Sequence, residues 1–205
     1  MRLLRNKLAT ALFLVVFAAG CSSQTANDGS NQDNAPATAT ATQKCPVNTV
    51  SGLTIDEEFG PGAGAATRCI ENRKTVKVLV QVNRECRDAA CTKPYALRKI
   101  KKLIEDYEVT NGLSREDYEI VAVVFGAATP LMMNNDSTAK APFHNRFQKD
   151  LEDVLAAGVT VYYCMGTARA KGVKFGHLVP GVKFVTSSTS AIVDLQRQGY
   201  IYVEP

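Results

Sequence analysis

The chain has no tryptophan and only two histidines, His144 and His177, in 205 residues. Neither histidine stands at ligand spacing from a cysteine pair, so the usual cysteine–histidine zinc site is not expected. Aromatic residues make up only 7%, which leaves no stacking platform for single-stranded nucleic acid. No glycine-rich phosphate loop follows the first strand-like run, where NRECRDAAC (83–91) stands instead. A G-x-S-x-G nucleophile elbow is also missing, and no carboxylate pair stands out for acid–base chemistry. Nothing in the sequence asks for a cofactor or a metal ion. Dense basic runs of the kind that hold lipid headgroups are lacking as well.

What is present begins with an export signal. Arg2, Arg5 and Lys7 form a positive start, and Leu8 to Ala19 an apolar stretch too short to span a membrane as a mature helix. Small residues then lead into Cys21. Ala18-Ala19-Gly20-Cys21 resembles the lipobox of bacterial lipoproteins, which implies that residues 1–20 are removed and Cys21 is acylated. Ser22 behind it implies the outer membrane as the address. The lipid membrane is thus an expected partner, since several acyl chains hold far better than one. Removing Arg2, Arg5 and Lys7 from the 24 basic residues leaves 21 against 20 acidic. The near-neutral remainder has no general attraction for nucleic acid.

Residues 21–43 are Ser, Thr, Asn, Gln, Asp, Gly and Ala in the main, with no large apolar side chain. Such a segment cannot bury enough surface to order itself and reads as a flexible tether. Residues 44–73 carry Cys45, Cys69 and a PGAGA turn and read as a disulfide-stapled extension. The six cysteines are Cys21, Cys45, Cys69, Cys86, Cys91 and Cys164, and export places them where disulfides persist. Locality pairs Cys45 with Cys69 and Cys86 with Cys91, although five cysteines also allow other pairings.

The domain proper runs over 74–205. Thr75–Val82, Tyr118–Phe125, Val159–Tyr163, Val182–Thr186 and Tyr200–Val203 read as strands, rich in β-branched and aromatic residues. Leu97, Ile100, Leu103, Ile104 and Tyr107 recur at helical spacing, with Thr92 as a cap and Asn111-Gly112 as a stop. Arg98, Lys99, Lys101 and Lys102 between them read as a solvated helix face. Phe143, Phe147, Leu151, Val154 and Leu155 predict a second helix ended by Gly158, and Ser188 or Thr189 caps a last one. Strands alternating with helices imply an α/β fold with a mainly parallel sheet covered on both faces. Ligands of such sheets sit beyond the carboxyl ends of the strands. If the first strand neighboured the third, Cys86, Cys91 and Cys164 would crowd one place.

The stretch that carries chemistry is VTVYYCMGTARAKG (159–172). A strand ends at Cys164, and Thr167, Arg169, Lys171 and Lys174 follow with no acidic residue before Asp194. Positive charge and free backbone N–H groups there would lower a thiol's pKa and favour sulfur chemistry. A cysteine ending a strand also serves simply as a small buried hydrophobe. His177 could act as a nearby base, or only as part of a surface loop. Cys86 and Cys91 form either a structural bridge or a redox dithiol; their spacing is wider than the thioredoxin motif.

VTVYYCMGTARAKG, HLVPGVKFV, IVDLQRQGYIYVEP and VAVVFGAATPLMM together resemble the DsrE/DsrF-like family of small sulfur-relay proteins. The resemblance implies a three-layer α/β/α sandwich around a five-stranded sheet, and commonly a homo-oligomer. It also implies a strand-end cysteine that carries sulfane sulfur, at the position of Cys164. A sulfur donor or a thiol protein is then the expected partner. Three functions follow: a sulfur carrier at Cys164, a non-catalytic binding module of the envelope, or a dithiol oxidoreductase at Cys86 and Cys91. Alkylation of the unreduced protein, read by peptide mass, should modify Cys164 alone among the five cysteines after Cys21. A protected Cys164 would overturn the local pairing.

Overall fold

In the computed structural model of the protein, residues 49–50, 53–67 and 70–205 are described. The expected signal (1–20) and tether (21–43), with Cys21, Cys45 and Cys69, lie outside them. The chain divides into units Met1–Thr40 and Ala41–Pro205, and all the described residues belong to the second. Its first elements are slight. β1 (Thr49–Val50) pairs antiparallel with β2 (Leu53–Thr54), and two short helices follow, α1 (Ile55–Phe59) and α2 (Ala63–Ala66). Among the described residues no helix is long and apolar enough to cross a membrane.

The core is an α/β sandwich. Five strands, β3 (Val76–Arg84), β4 (Tyr118–Ala127), β5 (Thr160–Cys164), β6 (Lys183–Val185) and β7 (Ile201–Val203), form one sheet in the order β6-β5-β4-β3-β7. Every pairing in it is parallel. Side chains alternate between faces along each strand, and both faces are buried. Val78, Val80, Val82, Ile120, Ala122, Val124, Val161 and Tyr163 belong to one apolar cluster. Leu79, Val121 and Val123 belong to the other. This two-sided burial is why the strands read as near-continuous apolar runs rather than as polar–apolar alternation.

α3 (Tyr95–Glu105) and α4 (Gln148–Ala156) join β3 to β4 and β4 to β5 and supply the larger cluster, with Leu97, Ile100, Leu151 and Val154 buried. α5 (Met165–Ala170) follows β5. α6 (Ser188–Arg197) carries the chain from β6 across the second face to β7, packing Ala191, Ile192 and Leu195 there. The strand order separates β3 from β5 by β4. The ends of the first and third core strands are therefore not neighbours, which corrects the arrangement that would have gathered all three sulfurs.

Local readings shift in physically clear ways. Thr92 does not cap α3: Pro94, in an extended conformation, precedes it, and no side chain caps it. Beyond Glu105 the helix widens into a π turn, Asp106–Thr110, and Asn111 closes it by donating from Nδ2 to the Asp106 carbonyl at 2.9 Å. Phe143 and Phe147 precede α4 rather than lying in it. The cause is Asn145, 2% exposed, whose Nδ2 donates to the carbonyls of Leu131 (2.6 Å) and Met133 (3.1 Å) while its Oδ1 accepts the Phe147 N–H. α4 ends at Ala156, and Gly158 two residues on has φ +80°, where a Cβ would lie 2.9 Å from Arg115 Nη2. That guanidinium donates to the carbonyls of Ala157, Gly158 and Tyr118, tying the end of α4 to the start of β4.

Arg98, Lys99 and Lys102 are exposed, as a solvated face requires, and Lys101 bridges to Asp150 (3.3 Å) and Asp153 (3.1 Å) on α4. Leu97, by contrast, is fully buried. Leu97→Ala should cost about 2–5 kcal/mol in chemical denaturation. Lys101→Ala, at a largely exposed pair, should cost less than about 1 kcal/mol.

Candidate functional site

Because the sheet is parallel, the carboxyl ends of all its strands leave on one side. Near the end of β4 there stands Gly126, whose φ of +63° is natural only to glycine. β5 ends in Cys164, which begins the turn into α5. Thr167, one turn along α5, lies between the two: Gly126 N–H donates to its Oγ1 at 3.4 Å. Below them Tyr163 donates its hydroxyl to Thr129 Oγ1 (3.0 Å), and Thr129 donates to the Gly126 carbonyl (2.8 Å). These buried polar groups bind the glycine turn of β4 to β5 and hold Cys164 in place.

Cys164 is a free thiol, 6% exposed. Burial by itself pushes its pKa up. The backbone N–H groups of Thr167 and Ser188, and their hydroxyls, outweigh that and leave the thiol below its ordinary value. Ser188 is the first residue of the ten-residue α6, so the sulfur also lies at the positive end of that helix. A Cβ at Gly166 would meet the sulfur at 3.6 Å, an ordinary van der Waals contact.

The expected basic residues do not carry this effect. Arg169, Lys171 and Lys174 are exposed, and the depression of the thiol comes from hydrogen-bonding dipoles instead of their charges. His177 is buried, not part of an open surface loop. Its Nδ1 accepts the Lys174 N–H at 3.2 Å and its carbonyl accepts the Asn134 N–H, so it closes its own turn. Ser188, expected as a helix cap, makes no such cap and serves the sulfur. Thr129 and Gly126 carry one sequence signal, the GAATP turn (126–130) directly after an apolar strand.

The second sulfur centre lies beyond the end of β3. Cys86 and Cys91 form a disulfide that closes the exposed loop 87–90. Asp88 Oδ1 accepts the Cys91 N–H at 2.9 Å, and Cys91 has φ +46°. Glu85, Cys86 and Cys91 place their donor atoms within 4.8 Å of one another. The disulfide leaves neither sulfur with the negative charge a cation needs, and Arg146 brings positive charge to the same spot.

The fold has solved counterparts. It is similar to a protein of unknown function, MTH1491, from Methanobacterium thermoautotrophicum, at 20% identity and a TM-score of 0.50, over 63% of this chain and 99% of that one. It is also similar to the ychN protein of E. coli, at 15% identity and a TM-score of 0.48, over 64% of this chain and 100% of that one. No curated protein matches the chain. The DsrE/DsrF-like family model matches residues 77–205, from the second residue of β3 to the end of β7 and beyond, and on that match the chain belongs to the DsrE/DsrF-like family.

Proposed function

We propose that Cys164 is a nucleophile that accepts and passes on sulfane sulfur. The observation that carries this reading is a buried free thiol at the carboxyl end of β5, whose pKa is lowered by the N–H groups and hydroxyls of Thr167 and Ser188. In the step, Cys164 thiolate attacks the terminal sulfur of a persulfide donor R–S–SH. A sulfur–sulfur bond forms on Cys164, the sulfur–sulfur bond of the donor breaks, and R–S⁻ leaves with that electron pair. The Cys164 persulfide then gives its outer sulfur to an acceptor thiolate in the same way. The donors around Cys164 stabilise the anion before attack and after release. The reading includes acylation at Cys21, which would hold the domain in the cell envelope; the charged start, apolar core and cysteine in that order support it.

The same reading gives the protein a sulfur-donating or thiol protein as its partner, with a homo-oligomer as its working form.

A second reading, a non-catalytic binding module, has its own observation. A groove of about 500 Å³ opens between α3 and the edge strand β7, lined by Tyr95, Ile100, Leu103, Tyr107, Ile201 and Val203. Ile201 is 67% exposed at its rim, and exposed apolar patches of this kind mark contact surfaces.

Exposure to a small-molecule persulfide should add about 32 Da, the mass of one sulfur, to the Cys164 peptide. An adduct that persists in Cys164→Ser would move the site elsewhere, and an inert Cys164 would leave the binding module. The alkylation rate of Cys164 should also reach half its maximum at a lower pH than that of an ordinary thiol, and Ser188→Ala should move that midpoint up. The linked stability has a definite sign. A thiol that ionises more readily folded than unfolded adds stability above the ordinary thiol range, and loses it as pH falls through the folded value.

A further inference from the structure

The disulfide beyond β3 is asymmetric. Arg146 Nη2 lies 2.8 Å from Cys91 Sγ and 3.4 Å from Glu85 Oε1. Among the described residues no hydrogen bond reaches Cys86 Sγ. Both cysteines are partly exposed, unlike Cys164, and the loop between them is exposed throughout. Cys91 also holds a left-handed backbone conformation, which is strained for a residue with a side chain.

We infer that Cys86–Cys91 is a redox-active disulfide that opens with Cys91 as the leaving thiolate, held by Arg146, when a low-molecular-weight thiol attacks Cys86. In the first step a thiolate RS⁻ bonds to Cys86 Sγ, the Cys86–Cys91 bond breaks, and its electron pair leaves on Cys91 Sγ. In the second, another RS⁻ attacks the R sulfur of the mixed disulfide, giving RSSR and releasing Cys86 as a thiolate. The two protein thiolates take up the two protons that the attacking thiols gave up. Two RSH are thus oxidised to RSSR while one disulfide is reduced to two thiols. A better-stabilised leaving thiolate departs faster, so the sulfur bearing the guanidinium is the one that leaves.

The surrounding charges set the direction. Glu85 lies beside both sulfurs and opposes a thiolate, but it is itself paired with Arg146. Asp88 is engaged by the Cys91 N–H, and Arg87 and Lys93 flank the loop with positive charge. Arg146, a positioning residue, is the cation in contact with sulfur. The inference goes beyond the Cys164 reading and is independent of it, because β4 separates the strands that carry the two centres.

The test uses the full chain in a reduced-glutathione buffer, quenched with acid at intervals, alkylated, and cut with trypsin. Cleavage after Arg87 puts Cys86 and Cys91 on different peptides. The transient glutathione adduct should sit on the Cys86 peptide. Arg146→Gln should slow reduction about tenfold and erase that bias, and Arg146→Lys should restore most of both. In Cys86→Ser, the remaining Cys91 should alkylate at lower pH than Cys86 does in Cys91→Ser. Adducts on Cys91 or on both sulfurs equally, a rate indifferent to Arg146→Gln, or a disulfide that millimolar glutathione leaves intact would each overturn the inference.

Discussion

A parallel sheet survives only when both of its faces are kept from water, and that requirement arranges everything else in this protein. α3 and α4 cover one face, and the chain must then cross the other. It does so with α6, which runs from the edge strand β6 to the opposite edge at β7. The start of that crossing delivers Ser188 to Cys164. The helix that seals the second face therefore also supplies half of the donors around the sulfur.

The two sulfur centres live under different electrostatics. Cys164 is buried, and its surroundings are dipoles: backbone N–H groups, hydroxyls and the start of a helix. Fixed dipoles in a site with little water act strongly and need no rearrangement when charge appears. The Cys86–Cys91 bridge is at the surface, where its partner is a whole charge on a long side chain. Its environment is open to solvent and to small thiols. One chain thus presents a shielded sulfur and an accessible one, on strands that are not neighbours.

Much of the fold was legible. The strands of 74–205 were readable because two-sided burial demands continuous apolar runs, and the observed boundaries differ from the expected ones by only a few residues. The helix through Leu97 and Ile100 followed from its 3.6-residue period. Less legible was anything set by one polar group reaching across the chain. Asn145 shortens α4 by gripping carbonyls 12 and 14 residues away, and Thr129 meets Tyr163 34 residues on. Neither contact leaves a periodic trace.

The site divides in the same way. Cys164 was marked by the end of an apolar strand and a glycine two residues later, both local signals. Of the causes expected for its reactivity, the backbone N–H groups of the following turn act on the sulfur through Thr167, while Arg169 and Lys171 do not; the other donor, Ser188, is no sequence neighbour. The sequence by itself determined that strands and helices alternate, that Cys164 closes a strand, and that Cys86 and Cys91 are close enough to bridge. Only the tertiary structure decided the order β6-β5-β4-β3-β7, the arrival of Ser188 at the sulfur, and the placing of Arg146 on Cys91. Those depend on which surfaces pack together, and packing joins residues that the chain keeps far apart.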